Sequence, residues 1–541
     1  LKISASIIVK DENTPIFYQC IKGLDPFVDE IVIYDTGSTD GTQDAAKMAS
    51  PKVRVVESKD KKLFDKNGNF NFGRAKTLAG KKCRGDWVII VDADEVFTTT
   101  AAPAQMRGFL GSLPGDVGGL NVKMMNYNAD GTAQGESWVT TKIARHGYYY
   151  KRPIHEIIVL KPGSKKQAAL TDVLIRHYGY DKKTWEDKGK AQRNIEALQA
   201  EYERLKNSDD YAGLSLTCFY LMNQHILNGD YEAGIAAGLE CLDVAEKNNY
   251  VNGLYEGVYH SVFAAKFFHM NDPKGALELL KKGVDRYPKN IDLNFDGAMV
   301  CRMRGDRTNL NKYGQKYFEL VDEYEKNPAT IGNRFVLAGT DKKKSEVNQW
   351  LRTKKTMFTG HCFSLDGIAQ QLQDIGLHFG NEKNGMDGVA SWIHVAPGGT
   401  VSWIPGGVVD AGNFDAVCHI VMHPLVAIHR ALGDSEEAYL YRFERIGHPG
   451  GDHGLRWAMH SWLRWNEYIE SFNLLGTYQY EKLSIEMPGI LHKIGYETNA
   501  VFKFPKPDPL KAPITWGALR QVDAELAEKI EQKGREYGYD I

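Results

Sequence analysis

The 541-residue chain has almost no excess of charge of either sign: 67 Lys and Arg face 69 Asp and Glu, a formal net charge of −2. That balance excludes a strongly basic nucleic-acid coat and an acidic disordered tail, but not a local basic patch. Cysteines are few. The seven (Cys20, Cys83, Cys218, Cys241, Cys301, Cys362 and Cys418) are odd in number and form no CxxC pair. This argues against a disulfide framework and a cysteine-built zinc site. They read as small buried thiols in a reducing, cytoplasmic compartment. No uninterrupted apolar run reaches the length a membrane helix needs, so no membrane span is expected. Leu1 to Lys10 leads straight into strand-like sequence and does not read as a signal peptide. What remains is ordinary globular composition, 43% hydrophobic and 25% charged. At roughly 150 residues per domain, the length suggests three or four domains.

The first hundred residues alternate between two patterns. Ser6–Val9, Glu30–Tyr34, Lys52–Val56 and Asp86–Val91 are short apolar, β-branched runs. Between them, Asp40–Ala49 and Gly73–Lys82 read as helices. Strands alternating with helices at this spacing predict βαβ units and a parallel sheet covered on both faces. Ligands of such sheets bind at the carboxyl ends of the strands.

From about Trp185 to Asn327 strand signals vanish and helical periodicity takes over. Gly229–Ile235, Asn271–Leu277 and the weaker Gly305–Arg307 are loosely alike. Their spacings, roughly 42 and 34 residues, bracket the period of TPR-like helix pairs. An irregular helical domain is the plainer alternative. Beyond about Ile331 the chain changes again. Lys342–Lys355 is polar and basic, either a linker or an exposed helix. Gly- and Trp-rich stretches follow at Ser391–Gly399 and Val401–Gly407. Ala416–Met422 reads as a buried strand and Leu455–Glu470 as an amphipathic helix. Together these suggest a separate carboxyl-terminal α/β domain.

Two segments carry chemistry. In Val88–Glu95 an apolar strand ends in Asp92, Asp94 and Glu95. Burying such charge without a partner is costly. A hard divalent cation, Mg²⁺ or Mn²⁺, would offset it; so would an acidic helix N-terminus. The second segment, Tyr34–Thr42, offers glycines, hydroxyls and the carboxylates of Asp35 and Asp40. These either accept hydrogen bonds from a base or ribose or simply cap a helix.

In this order the two segments resemble family 2 glycosyltransferases of the GT-A fold. The resemblance takes in Ser6–Asn13, Val28–Ile33, Asn71–Lys76 and Gly85–Trp87, with Asp92-Ala93-Asp94 as the DxD motif. It implies a GT-A domain at 1–184 followed by TPR-like helices at 185–330; the α/β domain read above takes in 340–541. It further implies a UDP-sugar donor, with Asp35 at the base, Asp92 at the ribose or a metal-bound water, and Asp94 as direct ligand of Mn²⁺ or Mg²⁺. His177, in Arg176–Tyr180, matches the residue that completes the metal shell. In Arg152–Glu156, Glu156 matches the general base of an inverting displacement and His155 a lesser contributor. The plainer alternative for either histidine is a structural role. Lys10, Asp11 and Glu12 line the donor cleft. Where the family has Ala-Arg-Asn, this chain has Ala75-Lys76-Thr77. Lys76 keeps the charge without the bidentate fork of arginine.

The carboxyl-terminal domain faintly resembles degenerate sulfotransferase-like P-loop proteins. Phe358–Gly367 lies between a strand and a helix, followed by Met422-His423-Pro424, Trp462–Asn466 and Tyr478–Leu483. The loop lacks the expected basic residue and hydroxyl pair, and Met422 stands where an arginine precedes His-Pro. Those Trp and His residues read equally as core. His448, His453 and His460 show no metal spacing. The expected function is therefore sugar transfer to a saccharide, a protein or a hydroxylated base of nucleic acid. The basic stretches Lys342–Lys355 and Lys59–Lys66 leave the last open. The competing readings are a non-catalytic TPR-like scaffold and a bifunctional enzyme with a second group-transfer domain.

Overall fold

The computed structural model describes residues 1–541 except 66–67, 129, 180–189, 249–253, 328–338, 362–364, 383–384, 392–400, 403–407, 410, 434–453 and 506–512. Tyr180, Trp185, most of the Gly- and Trp-rich stretches, His448 and His453 lie outside the described residues. The chain separates into two compact units, Leu1–Tyr255 and Glu256–Ile541. The helical stretch is divided between them.

The first unit is built on strands β1 (Ile3–Val9), β2 (Glu30–Asp35), β3 (Val53–Glu57), β4 (Trp87–Ile90), β5 (Glu95–Thr99), β6 (Val117–Tyr127), β7 (Ala133–Arg145) and β10 (Lys165–His177). A small hairpin, β8 (Tyr149–Lys151) and β9 (Ile157–Val159), stands apart from them. The sheet order is β3-β2-β1-β4-β7-β6-β10-β5. The four strands expected from the apolar runs are mutually parallel. Beyond β4 the sheet becomes mixed, with β7 antiparallel to β4 and β6, and β5 antiparallel to β10. Helices α1 (Pro15–Leu24), α2 (Thr42–Ala49), α3 (Phe72–Lys82) and α4 (Pro103–Ser112) punctuate it.

Ile3, Ala5, Ile7, Ile31, Ile33, Trp87 and Ile89 are buried in one core with Phe17, Ile21 and Leu24 of α1. Val32, Val88 and Ile90 are buried on the other face. Burial on both faces is why the runs are continuously apolar rather than alternating. Gly73 lets α3 approach the segment leading to Glu156: a Cβ there would collide with the Arg152 carbonyl. Helices at Lys190–Leu205, Tyr211–Leu227 and Tyr231–Lys247 complete the unit. The latter two are capped by Asp210 and Asp230, consistent with a preference for Asp at N-caps.

The second unit continues the helices: Pro273–Arg286, Ile291–Arg304, Arg307–Lys326 and Asp341–Arg352. Residues 341–352, expected as linker or exposed helix, form a helix whose Val347 and Trp350 are buried. Three of the lysines there are engaged or buried. Lys344 pairs with Glu325 and Asp341, Lys343 pairs with Glu346, and Lys355 is fully buried. The carboxyl-terminal sheet, order β12-β13-β11-β16-β17, is all parallel. Its strands are β11 (Thr356–Gly360), β12 (Phe379–Asn381), β13 (Gly388–Ala390), β16 (Ala416–Val421) and β17 (Leu474–Gln479); the two-residue pair β14 (Val401–Ser402) and β15 (Val408–Val409) stands apart. Trp457, Trp462 and Trp465 are buried, so they serve as core. The loop residues 362–364 of the P-loop comparison lie outside the described residues. Among the described residues no helix is long and apolar enough to cross a membrane. The six described cysteines are buried and free.

Candidate active site

The parallel strands β2, β1 and β4 lie side by side, and their carboxyl ends deliver the candidate residues. β4 stops at Ile90, and Asp92–Asp94 form a turn that enters β5, not a helix. The alternative in which these carboxylates open a helix is thereby removed.

Asp92 faces two ammonium groups. Lys76, from α3, lies 2.9 Å from its Oδ1, and Lys142, from β7, lies 3.7 Å from its Oδ2. Lys76 also forms an ion pair with Glu156. Burial by itself would raise the Asp92 pKa; Lys76 and Lys142 outweigh it and hold the carboxyl well below the usual range. Glu95, three residues on, is buried and engages the same Lys142. Its two oxygens accept from Lys142 Nζ at 2.7 and 2.6 Å, and Oε2 also accepts the Asp92 N–H at 2.9 Å. Burial pushes the Glu95 carboxyl up against the pull of Lys142.

Asp94 meets His177 at the end of β10. Asp94 Oδ1 and His177 Nε2 are 3.9 Å apart. His177 Nδ1 lies 2.8 Å from Asn126 Oδ1. An amide oxygen only accepts, so Nδ1 donates to Asn126 and Nε2 is the ring nitrogen that faces Asp94. Metal-binding histidines are oriented in this way. Gly179 leaves the space: a Cβ there would overlap Asp94 Oδ2 and come within 2.7 Å of His177 Nε2. One carboxylate oxygen and one imidazole nitrogen suit Mn²⁺ or Mg²⁺ completed by phosphate oxygens and water. No set of three or more protein donors arranged for a metal occurs among the described residues.

The remaining expected residues have other surroundings. Asp35 accepts from Gly37 N–H (3.0 Å), Ser38 N–H (2.9 Å), Ser38 Oγ (2.8 Å) and Gln43 Nε2. Burial would raise its pKa, but these bonds lower it. Its carboxylate thus organises the loop after β2. Lys10 stands 6.0 Å from the centroid of the Phe64 ring, and the Glu12 N–H donates to Thr42 Oγ1 at 2.7 Å. His155, in a left-handed conformation with φ of 48°, stacks on Tyr220 with ring centroids 3.7 Å apart. Burial pushes its pKa down to about 4. Its ring is therefore neutral at physiological pH and packed against the helix Tyr211–Leu227.

The structure thus brings Lys76, Asp92 and Glu156 together, and separately Asp94 and His177. Sequence reasoning missed Lys142 and Asn126, and gave Gly179, within Arg176–Tyr180, no role of its own. Lys142 had a weak signal, a lysine in a strand otherwise suited to burial. Asn126 had none.

Residues 7–120 match the family model described as Glycosyl transferase family 2. The chain therefore carries such a domain near its N-terminus. A TPR repeat-containing protein of Synechococcus elongatus is 26% identical over 207 residues, 37% of this chain and 47% of its own length. Among solved structures, S. aureus TarS aligns over 48% of this chain and 52% of its own, at 17% identity and a TM-score of 0.28. Glucosyl-3-phosphoglycerate synthase from Mycobacterium tuberculosis, in complex with Mn²⁺, UDP and phosphoglyceric acid, aligns over 24% and 43%, at 20% identity and a TM-score of 0.17. The chain spans about half the length of these relatives.

Proposed function

We propose that the first unit is an inverting, metal-dependent glycosyltransferase. It moves a sugar from a UDP-sugar to an acceptor hydroxyl on a saccharide, a protein or a hydroxylated nucleobase. The observation that carries this reading is the pairing of Asp94 with His177, whose other ring nitrogen is held by Asn126, next to a turn whose Asp92 is linked through Lys76 to Glu156. The UDP moiety is inferred from the motif resemblance.

In this reading Asp94 and His177 would hold Mn²⁺ or Mg²⁺, which supplies charge neutralisation on the leaving diphosphate. Asp92 contacts the ribose edge of the donor, while Asp35 shapes the loop beside the base. Lys10 and Glu12 border the same cleft. Glu156 takes the proton of the acceptor hydroxyl as its oxygen attacks the anomeric carbon. The bond from that carbon to the diphosphate oxygen breaks on the opposite side, so the anomeric configuration inverts. Lys76 keeps the donor-side and acceptor-side carboxylates in fixed relation. His155, neutral and stacked, orients the segment that carries Glu156. Residues 1–184 supply the chemistry.

The test is a screen of nucleotide-sugar hydrolysis and transfer with Mn²⁺ and Mg²⁺, comparing wild type with Asp94→Ala. Metal-dependent turnover lost in the variant supports the reading. Equal inactivity of both across a broad panel, with a protein partner still bound, sinks it in favour of a scaffold.

A further inference from the structure

We propose that Lys142 is a positioning residue for Asp92, and that its charge sets how tightly the cleft holds a metal-bound nucleoside diphosphate. This rests on the glycosyltransferase reading above. Lys142 belongs to none of the motifs. It sits on β7, where Thr141, Ile143 and Ala144 are also buried. A lysine in such a strand survives only when its ammonium is fully engaged.

The engagement is double. Through Glu95, whose Oε2 accepts the Asp92 N–H at 2.9 Å, Lys142 braces the backbone of the turn. Directly, at 3.7 Å, it attracts the Asp92 carboxylate. Lys76 attracts the same carboxylate but is shared with Glu156. Asp92 is thus held between two cations supplied by different elements, α3 and β7. With Lys142 gone, a single shared ammonium draws the carboxylate toward Glu156 and away from the donor. Positioning groups of this kind affect metal-site affinity by about 10- to 100-fold.

A simpler role would be to neutralise buried Glu95 and nothing more. The two roles separate because Glu95 can be neutralised as well. Lys142→Met alone strands a buried carboxylate and destabilises the fold. The double variant Glu95→Gln/Lys142→Met removes both charges and retains an oxygen for the Asp92 N–H. Glu95→Gln alone leaves Lys142 to Asp92. The measurements, on the full chain, are the melting temperature without ligand and calorimetric titration with Mn²⁺ and UDP.

The double variant is expected to melt near wild type and to bind about tenfold more weakly, while Glu95→Gln binds at least as tightly as wild type. A double variant that binds like wild type overturns the proposal, since Lys142 then serves Glu95 alone. Glu95→Gln weakened as much as the double variant also overturns it, and needs no folded Lys142 variant. Absence of binding by wild type is a different result: it removes the glycosyltransferase reading and this proposal with it.

Discussion

Lys76 places its ammonium 2.9 Å from Asp92 while also pairing with Glu156, so one side chain from α3 ties the Asp92–Asp94 turn to the candidate base. Where the family carries arginine, a lysine can make this link because a compact point charge serves two carboxylates at once. Lys76→Met should therefore lower transfer more than it lowers nucleotide affinity. The expected loss in kcat is on the order of 10²–10³, the size of a misplaced general base. Steady-state kinetics at saturating donor would check it; an effect confined to donor KM would contradict the link.

Gly179 offers a sharper probe of the metal pair than removing either donor. A methyl group there intrudes between Asp94 and His177. Gly179→Ala should weaken Mn²⁺ binding by about 10- to 100-fold and leave the melting temperature nearly unchanged. Unaltered Mn²⁺ affinity would mean that these two side chains do not share an ion.

His155 and His419 are both held neutral by burial, with pKa values pushed down to about 4. An unfolded histidine titrates near 6.5. Protons therefore bind the unfolded chain first, and stability present above about pH 6.5 is lost as pH falls toward 4. Each histidine accounts for up to roughly 3 kcal/mol. Denaturant melts across that window should show the loss in both units, and His155→Phe should flatten it in the first. A melt independent of pH there would contradict the burial of the neutral rings.

His260 has the opposite sign. Burial would lower its pKa, but Asp296, 2.6 Å away, raises it to about 9. The folded state keeps a proton that the unfolded state releases near 6.5. Stability from the His260 proton is full below about pH 6.5 and is lost as pH rises through about 9, on the order of 1–3 kcal/mol. His260→Gln should remove that alkaline loss in melts of the second unit. Persistence of the slope in the variant would assign it elsewhere.

The sequence alone determined the first four strands, β1 to β4, and the polar clusters at their ends. Continuous apolar runs specified the parallel strands, because a strand covered on both faces has no polar side to show. The polar clusters at their carboxyl ends followed from the sheet's own geometry. The Asp92-Ala93-Asp94 spacing and the segments around it carried the resemblance to the family whose model matches residues 7–120. Only the tertiary structure decided what each carboxylate faces. Asp92, Asp94 and Glu95 lie within four residues, yet one meets Lys76 and Lys142, one meets His177, and one is buried on Lys142. Successive residues of a turn point in different directions, and their partners come from α3, β7 and β10, the farthest being His177, 83 positions from Asp94 along the chain. Lys142 illustrates the reason. Its charge is legible in the sequence, but what it attracts depends on β7 pairing with β4, a contact no local pattern encodes.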